Sequence, residues 1–308
     1  MTERFFLGID GGGSKTSAVC VNEAGSVVGQ GSAGPTNLTS TSVGAASLNL
    51  REGVRQALEN LPQDKIVAKL VMGLAGMDSE SEHDVAIEVF AKIISPFGIQ
   101  NFELVNDSVI ALENGSNNPN AFVLISGTGS NCHGRNAQGK TAKAGGMDYL
   151  LADQGSGYAI GRQVLLAAVK SFDGRGKKTI LEQLVCQHFG LSDCSSMKAA
   201  VYQPPLNKLE IGQFTTLCRQ AVDQADAVAL AIFDEAVEEL LAHITSVLRQ
   251  LELENVPTEG VLSGSVLDIP YIREKLIWLS GERWSQVTLS TPTQPPVWGA
   301  IKLALRAS

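Results

Sequence analysis

The 308-residue sequence is poor in cysteine, histidine and aromatic residues, and it carries no excess of positive charge. Its five cysteines are Cys20, Cys132, Cys186, Cys194 and Cys218, an odd number with no C-x-x-C pair among them. That excludes a disulfide framework and a cysteine-based zinc site, and it fits buried free thiols in a reducing, cytoplasmic setting. Lys and Arg number 24 against 32 Asp and Glu, for a net charge of −8. A surface of that sign disfavours nonspecific attachment to nucleic acid or to anionic membrane. It leaves phosphate ligands open, because backbone N–H groups and a metal can hold them locally. Long apolar runs are missing too. Phe5-Phe6-Leu7-Gly8-Ile9 ends on Asp10 and is too short for a secretory signal, and nothing approaches the roughly 18 apolar residues that span a bilayer. Neither a nucleic-acid nor a membrane partner is expected.

What the chain does have is core material. Hydrophobic residues make up 44% and charged residues 18%, enough for one large or two medium domains. Residues 4–9 read as a buried strand, 16–21 as a second and 26–31 as a third, with the glycine turn Gly11-Gly12-Gly13-Ser14 between the first two. A polar loop over 33–42, a helix near 43–60, a strand at 67–73, a helix at 79–95 and a short strand at 103–105 follow. The opening pattern then returns. A strand at 121–126, the turn Gly127-Thr128-Gly129-Ser130, a strand at 131–135, a hairpin turn at 136–139 and a strand at 140–144 repeat it about 115 residues on. Duplication of one β-rich module is the natural inference, each half carrying one glycine turn. The rest is mostly helical: near 156–171, 178–189, 211–222, 227–251, 270–278 and 298–306. Short strands are expected at 261–262 and 286–289, and loops at 172–178 and 203–208. Asn, Gly, Ser and Pro cluster at 114–120, which places a domain boundary there, with domains 1–117 and 118–308 and with packing of the last helix back on the first domain as an alternative.

Five segments could carry chemistry. Asp10-Gly11-Gly12-Gly13-Ser14-Lys15-Thr16 looks at first like a P-loop, but Ser14 intervenes between Gly13 and Lys15, and the turn feeds a strand rather than a helix. It can still present N–H groups to a phosphate, and Asp10 at the strand end suits a water-mediated magnesium ion. The alternative is a tight hairpin with a surface aspartate. Ser126-Gly127-Thr128-Gly129-Ser130-Asn131 gains weight from repeating the first turn in the same strand context. Asp107, after a buried strand, is placed to take a proton from a hydroxyl attacking a phosphate, or simply to cap a helix. Gly145-Gly146-Met147-Asp148 and Asp153-Gln154-Gly155-Ser156-Gly157 combine carboxylates with backbone donors, a mixture suited to polyhydroxylated ligands; the alternative for Asp153 is a cap on the helix that follows. Asn37 is a loop residue with a ligand or a turn-forming role. Val261-Leu262-Ser263-Gly264-Ser265 is a strand running into small residues against which a flat base can lie.

In their order along the chain these segments resemble the actin-like ATPase superfamily, which includes sugar kinases and heat-shock ATPases. Gly8 to Thr16 is similar to its first phosphate motif, Leu124 to Asn131 to its second, and Val261 to Val266 to its adenosine motif. Within it the match is to the N-acetylglucosamine kinases, the bacterial glucosamine kinases and the BadF/BadG/BcrA/BcrD-type ATPases, carried by Ile125 to Cys132 and Asp153 to Gly157. The resemblance implies an α/β fold of two ribonuclease-H-like domains with a cleft between them for ATP and a sugar. It implies that Asp107 is the general base on the sugar 6-hydroxyl and that Asp10 holds Mg2+. Gly12, Gly13, Ser14, Lys15, Thr16, Gly127, Thr128 and Gly129 would line the phosphates, with Gly264 and Ser265 on the nucleotide. Asn37, Ser130, Asn131, Gly145, Gly146 and Asp153 would join Asp107 around an amino sugar. It also admits a homodimer.

The chain departs from the animal N-acetylglucosamine kinases at Met147-Asp148, where they carry Trp-Gly, and at Gln154, where they carry Glu. The extra Asp148 carboxylate suggests a preference for a free ammonium, whereas Ser130-Asn131 matches the N-acetylglucosamine enzymes. The expected activity is phosphorylation of N-acetylglucosamine, with glucosamine and N-acetylmuramic acid as alternatives. An activator ATPase for a dehydratase or reductase is a more distant reading, because Cys186 and Cys194 lie outside any recognisable cluster motif. A noncatalytic sugar sensor is more distant still, because the first strand begins near residue 4.

Overall fold

A short apolar run from Phe5 to Ile9, buried on both faces, builds the first strand, β1 (Arg4–Gly11). The computed structural model describes residues 3–38, 41–63, 65–77 and 79–306. They form two compact units. One runs up to Asn117 and takes up the chain again from Thr291; the other is Asn118–Ser290.

In the first unit β1 is followed by β2 (Thr16–Asn22), β3 (Val27–Ala33), α1 (Val43–Leu58), β4 (Ile66–Leu74), α2 (Glu80–Ile94), β5 (Phe102–Asn106) and α3 (Asp107–Gly115). The sheet order is β3-β2-β1-β4-β5. The β1–β2 and β2–β3 pairs are antiparallel, while β4 and β5 run parallel to β1. Phe5, Leu7 and Ile9 pack with Leu50, Val54 and Phe90 from α1 and α2. Phe6 points to the opposite face, into a cluster with Ile110 of α3 and with Ala300 and Ile301 near the chain end. Each such fully buried side chain contributes about 1.5–3 kcal/mol, so β1 is held from both faces.

The second unit contains β6 (Ala121–Ser126), β7 (Ser130–Arg135), β8 (Thr141–Gly145), α4 (Gly157–Phe172), α5 (Leu181–Phe189), α6 (Met197–Tyr202), α7 (Lys208–Gln213), α8 (Thr215–Val222), α9 (Ala227–Gln250), β9 (Thr258–Ser263), α10 (Pro270–Arg283) and β10 (Val287–Ser290). Its sheet order, β10-β9-β6-β7-β8, read from the other edge is that of the first sheet. The pairing senses repeat as well: β6–β7–β8 is an antiparallel meander, and β9 and β10 follow β6 in parallel. The repeated module expected from the two glycine turns is therefore a repeated sheet, and the chain has the two-sheet α/β architecture of the actin-like ATPases. The last helix, α11 (Val297–Arg306), belongs to the first unit, where Lys302 donates to the carbonyls of Glu113 at 3.1 Å and Asn114 at 2.9 Å.

Two expected helices differ, and one helix is new. The helix expected near 211–222 is two helices, α7 and α8, that meet at Phe214. A capping box of Asn207 and Glu210 starts α7 early, and the Thr215 hydroxyl at the start of α8 bonds the Gly157 carbonyl at 3.0 Å. The helix expected from 178 starts at Leu181, because the Thr179 hydroxyl and the Ile180 amide both donate to Asp226. The helix α6 was not expected at all.

Candidate functional site

The first unit brings two carboxylates to one sheet edge. β1, β4 and β5 run in parallel, so their C-terminal ends share that edge. Asp10 pairs across with Gly73, while Leu74 pairs with Asn106, immediately before Asp107. Asn106 is the N-cap of α3. Its side-chain oxygen accepts from the Ser108 amide at 3.0 Å and the Ser108 hydroxyl at 2.6 Å, and its amide donates to the Met77 carbonyl at 3.0 Å. Capping thus falls to Asn106, and Asp107 occupies the first helical position, where the helix dipole favours negative charge. Burial, then the neighbouring Asp107 carboxylate, pushes Asp10 up to about 6, against the opposing pull of Lys15. Two carboxylates close enough to perturb each other at a sheet edge are a natural seat for a cation. Among the described residues no three His, Cys, Asp or Glu side chains come together as a metal cage. A magnesium ion suits this sparse donor set, since it ordinarily keeps waters and takes its other ligands from substrate phosphates.

The first glycine turn lies beside Asp10. The Gly12 amide donates to the Lys15 carbonyl at 2.9 Å, and the Gly12 carbonyl accepts from the Thr36 amide at 3.2 Å. Gly13, Ser14 and Lys15 are exposed. Thr16 is different: it is wholly buried, and its hydroxyl donates to the Gly34 carbonyl at 2.8 Å and meets the Thr36 hydroxyl at 3.0 Å. Its side chain braces the turn from beneath and is not presented to a ligand. Asn37 follows Thr36 and is half-buried, with its carbonyl accepting from the Thr41 amide at 2.9 Å. Thr39 and Ser40 of the expected 33–42 loop lie outside the described residues. Next to Asn37, Leu38 helps to line a mainly apolar cavity of about 280 Å³ with Leu74, Met77, Val85 and Phe90.

In the second unit the corresponding turn is stitched into its surroundings. The Gly127 amide donates to the Gly129 carbonyl at 2.9 Å. The Gly127 and Thr128 carbonyls accept from Gly157 at 2.7 Å and Tyr158 at 3.3 Å, the first residues of α4. The Ser126 carbonyl accepts from Val266 at 3.0 Å, which draws the Gly264-Ser265 segment against the turn. Ser265 itself is exposed. Asp153 is 4% exposed and does not cap α4; Ser156 does. Instead Asp153 accepts from the Ser130 amide at 3.2 Å and pairs with Lys208 at 2.6 Å. A Cβ at Gly129 would stand 2.9 Å from Asp153 Oδ2, so only glycine lets the turn close over this carboxylate. The Ser130 hydroxyl donates to the Gln154 carbonyl at 2.6 Å. Asn131 Oδ1 is buried without a hydrogen-bond partner, an open acceptor of the kind a ligand donor completes. Gly145, Gly146 and Asp148 all take left-handed φ values, 75°, 73° and 65°, and the Gly146 amide donates to the Ser130 carbonyl at 3.1 Å. Ser130, Asn131, Gly145, Gly146 and Asp153 therefore gather around the start of β7.

Two nearby residues carried no signal in the sequence. His243 of α9 lies against Gly145, and its Nδ1 is buried without a partner. Lys208, at the start of α7, pairs with Asp148 at 2.5 Å as well as with Asp153. Burial raises Asp148, but the Lys208 ammonium and the Tyr149 amide outweigh it and hold the group below the ordinary carboxylate range. The charge expected to favour a sugar ammonium is thus already matched by a lysine. Asn207 and Glu210 have the spacing of a capping box, but nothing local ties the lysine between them to residues 55 to 60 positions earlier.

The family profile of the BadF/BadG/BcrA/BcrD ATPases matches residues 7–305, across both glycine turns and both sheets. The chain belongs to that family. It is 30% identical over 303 residues to the N-acetylmuramic acid/N-acetylglucosamine kinase of Clostridium acetobutylicum, with 98% of each chain covered. It is 26% identical to the N-acetyl-D-glucosamine kinase of Dictyostelium discoideum, covering 100% of this chain and 99% of the relative. In structure, this BadF/BadG/BcrA/BcrD-family chain is similar to a candidate N-acetylglucosamine kinase from Chromobacterium violaceum, with a TM-score of 0.76, 22% identity and coverage of 98% and 99%. That last likeness bears on the fold alone.

Proposed function

We propose that the protein is an ATP-dependent kinase that phosphorylates an amino sugar at its 6-hydroxyl, with N-acetylglucosamine the first choice and N-acetylmuramic acid or glucosamine the alternatives. The observation that carries this reading is the carboxylate pair Asp10 and Asp107 at one sheet edge, beside an exposed glycine turn, in a chain of an ATPase family. Asp107 is the general base: it takes the proton as the sugar oxygen attacks the γ-phosphate of ATP. Asp10 is the residue that would hold Mg2+, and the ion when bound would neutralise charge on the phosphates. The exposed residues Gly13, Ser14 and Lys15 receive phosphate oxygens, with Ser14 adding a hydroxyl, on a turn that the Gly12 amide closes. Thr128 and Gly129 do the same on a turn that the Gly127 amide closes, and Gly264 and Ser265 offer a flat, small surface for the base.

The sugar is held by Asn37, Asp107, Ser130, Asn131, Gly145, Gly146 and Asp153. The open acceptor on Asn131 and the buried carboxylate of Asp153 suit hydroxyl donors. The cavity next to Leu38 has a mainly apolar lining that suits an acetyl methyl group, with Thr36, Ser81 and Glu82 as its polar members. The five cysteines are all unpaired and buried, in keeping with a cytoplasmic enzyme. A separate observation about the chain is that, among the described residues, no helix is long and apolar enough to cross a membrane.

A coupled ADP-release assay with ATP, Mg2+ and a panel of N-acetylglucosamine, glucosamine, N-acetylmuramic acid, N-acetylmannosamine and glucose tests the reading. Turnover should be strongest on an N-acetylated amino sugar. Binding of ATP without turnover on any sugar would refute it.

A further inference from the structure

Lys208 is the residue that joins the two ends of the loop from Asp148 to Asp153. Its ammonium lies 2.5 Å from Asp148 Oδ1 and 2.6 Å from Asp153 Oδ2, and it stands over the Tyr149 ring at 5.8 Å. The two partners differ in environment. The Asp153 side chain is 4% exposed, whereas that of Asp148 is 63% exposed. A nearly buried carboxylate stays ionised and oriented only if charge and hydrogen bonds compensate for lost water. For Asp153 that compensation comes from the Ser130 amide on Oδ1 and from Lys208 on Oδ2. His243 of α9 is near enough to sense the Asp153 charge. A surface ion pair would matter little, but this one fixes a carboxylate inside a candidate binding site.

We propose that Lys208 is a positioning residue for amino-sugar binding. It clamps Asp153 against the start of β7, so that the lone pairs left on the carboxylate point in one fixed direction for the sugar hydroxyls. Asp148 is the outer anchor that holds the lysine over the loop. The inference rests on the reading of Asp153 as a sugar ligand. It assigns to α7 a part in substrate affinity, carried by a single side chain that no sequence motif marks. Lys208 acts through Asp153 and is not itself a catalytic residue.

Steady-state kinetics of Lys208→Met, Lys208→Arg, Asp148→Asn and Asp153→Asn with N-acetylglucosamine and ATP test this. Lys208→Met should raise the sugar KM by about tenfold or more, the cost of removing the partner of a nearly buried charge. Its kcat and its KM for ATP should stay within about threefold of the parent, because an interaction made equally with substrate and transition state moves KM alone. Lys208→Arg should restore most of the affinity, and Asp148→Asn should change it least. If Asp153→Asn leaves the sugar KM unchanged, Asp153 is not a sugar ligand and the inference falls with that reading. If Asp153→Asn raises KM but Lys208→Met does not, the ligand reading stands and the role of Lys208 is overturned. A fall in kcat together with a rise in both KM values would also overturn it, as general loosening of the unit. Should Lys208→Met fail to fold, Lys208→Gln carries the same split, and a normal sugar KM there has the same meaning.

Discussion

The two units share one sheet plan and one glycine turn each, yet the turns are built in opposite ways. The first, between Gly11 and Thr16, exposes Gly13, Ser14 and Lys15 and places a half-buried, partly desolvated carboxylate at its root. The second, between Ser126 and Ser130, is fastened on three sides: to the N-terminus of α4, to the segment after β9, and to the buried Asp153. Duplication supplied two copies of a backbone feature, and their surroundings then diverged. One became an open loop next to acidic chemistry. The other became a rigid wall whose carboxylate has its charge matched by a lysine. In the proposed kinase the first turn would receive phosphate and metal, and the second would orient the sugar and the far side of the nucleotide.

The sharpest way to break that division of labour is Asp107→Asn. It should lower kcat by about 10²- to 10⁴-fold, the range for loss of a general base, with ATP affinity nearly unchanged. Single-turnover phosphorylation and direct ATP titration would check it, and turnover near the parent's would remove Asp107 from the reaction.

The next largest effect separates the units by pH. Asp10 has a folded pKa near 6 against an ordinary 3.8, so its contribution to stability is full below 3.8 and lost as pH rises through 6. His133 on β7 runs the other way. Burial, then Lys143 and Arg135, lowers it from 6.5 to about 4, so stability is full above 6.5 and lost as pH falls through 4. Each difference amounts to about 3 kcal/mol at most. Urea unfolding of the ligand-free protein should therefore find Asp10→Asn more stable than the parent at pH 7.5 but not at pH 4. His133→Gln should be more stable at pH 4.5 but not at pH 7.5. An Asp10→Asn gain that does not shrink as pH falls from 7.5 to 4, or a His133→Gln gain that does not grow over the same span, would mean that the burial of that group is misassigned.

Much of this was legible in the sequence because it is local. Short apolar runs at Phe5 to Ile9 and Ala121 to Ile125, and glycine turns in matching contexts, are read within a few residues, and they led to the repeated sheet. Asp107 at the end of β5 was visible for the same reason. What stayed hidden depends on partners distant in sequence. Asp148 looked like a spare carboxylate until Lys208, 60 positions on, was found beside it. Thr16 looked like a phosphate ligand because it continues a motif, but strand β2 turns its hydroxyl toward Gly34 and Thr36. The break between α7 and α8 likewise reflects contacts with Gly157 and Gly161 of α4 rather than any residue that stops a helix.

A smaller effect tests the contrast between the turns directly. A Cβ at Gly12 would find only ordinary contact, with the Lys15 carbonyl at 3.6 Å, whereas at Gly129 it would press on the Asp153 carboxylate at 2.9–3.2 Å. Gly129→Ala should lower stability by about 1–3 kcal/mol, as overpacking does. Gly12→Ala should leave stability within about 0.5 kcal/mol and act on ATP binding instead. Thermal unfolding beside ATP titration would show whether the two glycines separate in this way.

The smallest expected change bears on the brace under the first turn. Thr16→Val keeps the shape of the side chain but removes the hydroxyl bonded to Gly34 and Thr36. It leaves a buried carbonyl and a buried hydroxyl short of one partner, a loss of about 1–2 kcal/mol. If the hydroxyl only braces, KM for ATP should rise less in Thr16→Val than in Ser14→Ala, whose hydroxyl is exposed on the turn. A larger rise in Thr16→Val, without a matching loss of stability, would show that the Thr16 hydroxyl leaves Gly34 and reaches phosphate when ATP binds. The first turn would then rearrange on binding where the second stays fixed, which is a stronger form of the same contrast.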